Sequence, residues 1–318
     1  MSSDKQKTEK LIRICKLYYI ENRTQSEIAK IVGTSRSQVS RLLTEARNQG
    51  LVEIKIHENA VAATDVEEII AKIFKLKQVV VAESISGNYL EDIARAASTF
   101  LEKCIEDGMI VGISWGRTLA KTIDHIVTSK KLKNTLFVPL LGGVGQMKYE
   151  YQMNALVEKI SNAFGSSRYY LHAPAFFDDA DALKLMLKDR STQIVTELWK
   201  RLDMAVVGIG EPISLSNAFR PVFTPDFLSM LLKQSAIGDI AARFFTKDGK
   251  PCDLGNYYNH ILGITLEQLK STHEVVAIAG GEEKIGAICG AIKGGFITTL
   301  ITDIKTAREL LKEKGVDA

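Results

Sequence analysis

Residues 35–41, Ser-Arg-Ser-Gln-Val-Ser-Arg, bring hydroxyls, a carboxamide and two guanidinium groups within seven positions. These side-chain types suit base edges and phosphates in a DNA major groove. Elsewhere the chain has four corners rich in small residues: "ISWGRT" (113–118), "LGGVG" (141–145), "GIGEP" (208–212) and "AGGEEK" (279–284). A glycine corner between a strand and a helix can hold an anion on backbone N–H groups, although most such corners are turns. None is a P-loop, since GxxxxGK[ST] is absent, and none fits GxGxxG after a strand. A nucleoside triphosphate or a dinucleotide is therefore not indicated. Several such corners on one strand edge could enclose a small anion together.

Other chemistries lack their residues. Cys15, Cys104, Cys252 and Cys289 form no CxxC pair, and the five histidines form no HxxxH or HExxH. Neither a metal site nor a disulfide framework is expected, and reduced thiols in a cytoplasmic protein are the simplest account. The N-terminus, "MSSDKQKTEK", lacks the apolar run of a signal peptide, and no stretch approaches the roughly 18–20 apolar residues of a membrane span.

The elements that must position these residues follow from pattern. Leu11, Ile14, Cys15, Tyr18 and Tyr19 fall on one helical face. Thr24 with Glu27 three positions on reads as a capping box, Gly33 as a helix stop and Ser35 as the next N-cap. Val39, Leu42, Leu43 and Ala46 make a buried stripe, and Gly50 ends it before "LVEIKI", an alternating strand that could serve as a wing. Ala29, Gly33 and Val39, at intervals of four and six, satisfy the steric demands of a helix-turn-helix. Its second helix then exposes Ser35, Arg36, Ser37, Gln38, Ser40 and Arg41. Arg36 and Gln38 are placed for base contacts, Arg41 and Arg47 for phosphates. Thr24 and Gln25, at the start of the preceding helix, complete the candidate DNA-contacting set. Residues 1–58 hold eleven Lys/Arg against seven Asp/Glu, a surplus of four, whereas the other 260 residues hold thirty against thirty-one. The basic excess sits where a polyanion would bind.

From residue 64 strands and helices alternate. Apolar runs at 78–83, 108–113, 135–140, 169–174, 204–210, 275–280 and 296–302 read as strands. Segments 90–106, 117–128, 182–200, 282–293 and 303–313 have helical period. The fold class is α/β: a winged helix-turn-helix over 1–58, then a larger, mainly parallel, doubly covered sheet domain over 59–318. A hairpin is expected in "RFFTKDGKPCDL", turning at Asp248-Gly249.

The segments "TQSEIAKIVGTSRSQVSRLL", "VGISWGRT", "PLLGG", "GDIAARFFTKDGKP" and "AGGEEKIGAICGAIKGGFITTLITD" occur in this order. Together they resemble the SorC/DeoR family of bacterial sugar-responsive transcriptional regulators over nearly the whole chain. The resemblance implies an effector domain related to glucosamine-6-phosphate deaminase and ribose-5-phosphate isomerase. It also implies phosphorylated sugars as effectors and a dimeric or tetrameric assembly. Carried onto this chain, Ser114, Gly116 and Thr118 match the phosphate loop, with Trp115 between them a packing residue or a ligand contact. Gly142, Gly143 and Val144 match the facing loop, Asp239 an acidic position that meets sugar hydroxyls, and Lys284 a cation near a helix N-terminus. Asp303 reads as a helix cap. Some relatives carry a lysine before the Gly-Gly pair that forms a Schiff base; here that residue is Leu141, so binding is expected to be non-covalent.

The expected function is a transcriptional repressor of a carbohydrate operon. It would bind an inverted-repeat operator as a homodimer or homotetramer, respond to a phosphorylated sugar and use no cofactor. The alternative is a sugar-phosphate isomerase or deaminase with an appended DNA-binding module, for which Asp239 is the candidate base.

Overall fold

The computed structural model describes residues 2–21, 23–52, 59–144, 151–211 and 224–316. The chain separates into two compact units, Met1–Glu58 and Asn59–Ala318.

In the first unit, α1 (Ser2–Cys15) widens into a π-helical turn over Lys16–Ile20, followed by α2 (Gln25–Val32) and α3 (Arg36–Asn48). The capping box forms: Thr24 Oγ1 accepts the Glu27 N–H at 3.3 Å, and the Glu27 carboxylate accepts the Thr24 N–H at 2.8 Å. Gly33 ends α2 at φ +65°, and Ser35 Oγ accepts the Gln38 N–H at 3.2 Å to open α3. Ile14, Ile28, Val39, Leu43 and Ala46 are buried between the helices. At the π-helical turn Leu17 is buried and Tyr18 and Tyr19 are half-buried, so the uniform stripe expected from α-helical spacing shifts there. The strand expected over "LVEIKI" lies largely outside the described residues.

The second unit opens with α4 (Asn59–Phe74) and is built on seven parallel strands. They are β1 (Gln78–Ala82), β2 (Ile110–Ile113), β3 (Leu136–Pro139), β4 (Ser167–Arg168), β5 (Met204–Gly208) and, after the hairpin strands β6 (Ala236–Ile240) and β7 (Arg243–Thr246), β8 (Glu274–Ile278) and β9 (Thr299–Asp303). The order across the sheet is β1-β9-β8-β5-β2-β3-β4. The helices are α5 (Tyr89–Cys104), α6 (Arg117–Asp124), α7 (Met153–Phe164), α8 (Ala180–Met186), α9 (Arg190–Leu198), α10 (Pro225–Lys233), α11 (Leu266–Ser271), α12 (Ile285–Lys293) and α13 (Ile304–Lys312). Successive strand residues enter two separate buried clusters. Met204 and Val206 pack with α5, α6 and α7, and Ala205 and Val207 with α4, α12 and α13. A parallel sheet covered on both faces requires this near-continuous apolar strand pattern.

Two expectations are corrected and a third holds. The run 169–174 is not a sheet strand: after the two-residue β4, Asn154 takes both backbone groups of Leu171, at 3.1 and 3.3 Å, and only the bridge Gly143–Pro174 forms. The helix expected over 182–200 divides into α8 and α9, because Asp189 Oδ1 accepts the Ser191 N–H at 2.9 Å and restarts the helix as an N-cap. The expected hairpin at Asp248-Gly249 forms: Gly249 turns at φ +73°, the Thr246 N–H donates to the Lys250 carbonyl at 2.9 Å and the Cys252 N–H to the Phe244 carbonyl at 3.0 Å, and β7 pairs antiparallel with β6 on its other side. Phe245 and Pro251 bridge between those two bonds, a non-hydrogen-bonded place where proline's missing N–H costs nothing.

Candidate functional site

The chain runs from β2 outward to β3 and β4, then returns to place β5 on the other side of β2, with β8 and β9 beyond. The crevice above the β2 and β5 carboxyl ends is therefore the switch point where ligands of open α/β sheets collect. A cavity of about 270 Å³ lies there. Its walls come from Trp115–Thr118 after β2, Gly208–Glu211 after β5, Asp239 on β6, Glu283 and Lys284 after β8, and Tyr89 at the start of α5.

The β2 corner has the features of an anion site. Gly116, at φ +128°, stands at the N-terminus of α6, and no side chain caps that end. Uncapped first-turn amides and the positive pole of the helix favour an anion, and Thr118 adds a hydroxyl. Ser114 is fully buried and its Oγ has no hydrogen-bond partner, although its N–H binds the Val206 carbonyl at 2.9 Å.

On the other wall the charges are mixed. Burial pushes the Asp239 carboxyl up to about 6; the Ala242 N–H, donating to Oδ2 at 3.0 Å, and the nearby Lys284 ammonium oppose the rise. Burial lowers Lys284, with Glu211, Glu283 and Asp239 opposing. The Lys284 backbone N–H donates to the Gly281 carbonyl at 3.0 Å, but its ammonium has no hydrogen-bond or ion-pair partner among the described residues. A half-buried ammonium without such a partner is unusual unless a ligand supplies one.

Of the residues singled out in the sequence, Trp115, Gly116, Thr118, Asp239 and Lys284 line this cavity. Ser114 lies behind the β2 corner. Gly142, Gly143 and Val144 are not among the described lining residues. Gly142 packs so tightly that a Cβ there would lie 2.5 Å from the Pro174 backbone. The Gly143 N–H donates to the Ala173 carbonyl at 2.8 Å. These glycines admit a close backbone approach. Sequence reasoning missed Tyr89, Glu211 and Glu283. Both glutamates stand inside the quoted corners: Glu211 directly follows Gly210, a usable signal, whereas Glu283 follows Glu282, which does not line the cavity; nothing local marks Tyr89.

In the first unit, Ser35, Arg36, Ser37, Gln38, Ser40, Arg41 and Arg47 are all exposed along α3. Gln25 is half-buried, and Thr24 already engages Glu27 through its hydroxyl at 2.9 Å. Arg47 donates to Thr44 Oγ1 at 3.4 Å.

Residues 58–312 match the family described as "Putative sugar-binding domain". The chain belongs to this family. Residues 9–49 match Sigma-70 region 4, which spans α2 and α3. The deoxyribonucleoside regulator of Bacillus subtilis is 29% identical, covering 98% of this chain and 99% of its own. The sorbitol operon regulator of Klebsiella pneumoniae is 29% identical over 95% of this chain and 97% of its own. The crystal structure of that full-length regulator, SorC, superposes with a TM-score of 0.85 at 29% identity, over 95% and 97% of the two chains. The chain is a SorC/DeoR-type transcriptional regulator, with a helix-turn-helix region and a sugar-binding domain. Among the described residues no helix is long and apolar enough to cross a membrane.

Proposed function

We propose that the protein is a repressor of a carbohydrate operon whose operator affinity is set by a phosphorylated sugar held non-covalently in the cavity between β2 and β5. The observation that carries this reading is the pairing, in one cavity, of the uncapped α6 N-terminus with the Lys284 ammonium, which has no partner among the described residues. A phosphate oxygen satisfies both, and charge-assisted bonds to it are strong. Leu141, fully buried and bridged to Gly263, offers no nucleophile for an aldehyde, so capture is reversible. No cofactor enters the scheme. The chain works in the cytoplasm as a homodimer or homotetramer, so that two recognition helices related by a two-fold axis meet an inverted repeat. The effector acts by binding one arrangement of that assembly better than another.

Fluorescence anisotropy on upstream DNA, with and without a panel of sugar phosphates, tests the scheme. A shift in operator affinity by one member is expected, together with stabilisation of about 2.7 kcal/mol at a hundred times its dissociation constant. Identical isotherms under every effector would remove the inducer role, and a borohydride-trapped adduct would remove reversibility. Turnover of ribose 5-phosphate or glucosamine 6-phosphate would instead favour the isomerase or deaminase reading, for which the buried Asp239 is the candidate base.

A further inference from the structure

We infer that a second cavity, flanked by α8, α9 and residues 258–268, binds a small oxyanion on the buried Arg243 guanidinium. The inference stands apart from the phosphosugar reading. This cavity, of about 360 Å³, shares no lining residue with the one above β2 and β5.

Arg243 opens β7 and is 7% exposed. Its Nε donates to the Ile264 carbonyl at 3.0 Å, and its Nη2 to the carbonyls of Ile261 and Gly263 at 3.1 and 2.8 Å. The guanidinium carbon lies 5.5 Å from the centre of the Tyr258 ring, and Tyr258 Oη donates to the Cys252 carbonyl at 2.7 Å. Backbone and ring together fix the group in place. Nη1, which carries two N–H donors, makes no hydrogen bond among the described residues, and the side chain lines the second cavity. Burial lowers the guanidinium to about 10, with Tyr258 and Glu267 opposing, so it stays charged at neutral pH. The three carbonyls answer it with dipoles and bring no full negative charge. A buried cation held in this way carries a desolvation cost that an oxyanion in contact would offset.

Gln268 lines the same cavity as a second fixed donor. Its Oε1 accepts the Thr265 N–H at 2.9 Å in the capping box that opens α11. The amide NH₂ is thereby left without a partner among the described residues. Arg243 and Gln268 grip opposite ends of one peptide, the Ile264 carbonyl and the Thr265 N–H. Donors already oriented by other bonds lose little freedom when a ligand arrives. Exposed Lys184 and Lys200 outnumber Glu197 along the rest of the lining, and Glu197 pairs with Lys200 at 2.6 Å. Such a set suits a ligand that only accepts, and a guanidinium matches carboxylates and phosphates, whereas a neutral hydroxyl leaves its charge unanswered. Asp239 on β6 and Arg243 on β7 set the two cavities against one hairpin.

Calorimetric titration of the full-length protein at constant ionic strength tests this, with inorganic phosphate and citrate as probes. A Lys284→Gln background removes the ammonium of the first cavity, so binding that survives there reports the second. At least one probe is expected to bind in that background at millimolar concentration. The tighter of the two decides whether the natural ligand carries a phosphate or carboxylates. Adding Gln268→Glu is expected to weaken the binding at least fivefold, because it sets a carboxylate where a donor stood. Glutamate serves equally well in a capping box, so the fold is retained. Arg243→Lys, which keeps the charge and loses the fork, is expected to act in the same direction; if it unfolds, Gln268→Glu alone decides. Absence of binding by both probes in the Lys284→Gln protein overturns the inference, and so does a change smaller than fivefold on adding Gln268→Glu. Arg243 would then be a backbone clamp and nothing more, and the phosphosugar reading would stand as before.

Discussion

The polar residues of α3 and those of the cavity are held in opposite ways. On α3, Arg36, Gln38 and Arg41 stand in solvent, and their positions are set by the apolar stripe beneath them. In the free protein water satisfies these groups. In the cavity, burial has driven Asp239 up and Lys284 down, and the carboxylates occupy seats that glycines keep open. The helix face is a set of nearly independent groups, whereas the cavity is a coupled set in which one change alters its neighbours. Substitutions should therefore act locally in the first unit and collectively in the second.

The largest effect expected is on the helix face. Arg36→Ala with Gln38→Ala should weaken operator binding by about 1–3 kcal/mol for each base no longer read. Circular dichroism and the thermal shift with sugar phosphates should stay unchanged, since both side chains are exposed. Anisotropy on operator and on unrelated DNA measures this. An equal loss on both DNAs would show that the two residues meet phosphates, and would break the assignment of base reading to α3.

Next in size is the pH response of the cavity. The folded protein holds the Asp239 proton more tightly than the unfolded chain does, since burial raises this carboxyl from 3.8 to about 6. The stability this supplies is fully present below the unfolded pKa and is lost as pH rises through about 6. The separation corresponds to about 3 kcal/mol at neutral pH. Asp239→Asn removes the titration, so wild type should lose up to that amount relative to the variant between pH 4 and pH 7, by denaturant unfolding. Parallel profiles would mean that the carboxyl is as well solvated as the residues of α3, and the contrast between the regions would fall.

The same contrast explains what could be read in the sequence. The capping box, Gly33 and the exposed face of α3 lie within 25 consecutive residues, and local spacing determines all of them. Most of the strands were legible because burial on both faces leaves an apolar run. The run at 169–174 misled because its partner is the Asn154 side chain, which no pattern within 169–174 reveals. The cavity draws on residues from Tyr89 to Lys284. Its β2 corner was recognisable. Nothing in sequence, however, separates a glycine that bares a helix N-terminus from Gly210, which makes way for a carboxylate 29 positions later.

The smallest effect concerns two left-handed turns, one in each region. Gly33 has φ +65°, and an added methyl would meet nothing within 4 Å, so Gly33→Ala should cost only the backbone penalty, about 1 kcal/mol. Between β6 and β7 the chain places Ala241 and Ala242 at φ +50° and +60°, in a two-residue hairpin turn that ordinarily takes Asn-Gly. Asp239 Oδ2 holds the Ala242 N–H, and the next residue, Arg243, donates to the carbonyls of Ile261, Gly263 and Ile264. Ala242→Gly should relieve strain of about 1 kcal/mol, offset in part by the greater freedom of glycine in the unfolded chain, for a net gain of roughly 0.5 kcal/mol. Calorimetric melting with and without a sugar phosphate separates two roles for this turn. Unchanged effector affinity would make the alanines a strained connection only. A more stable protein with weaker effector binding would show that the turn holds Asp239 in its working position, with the strain confined to the region where polar groups are coupled.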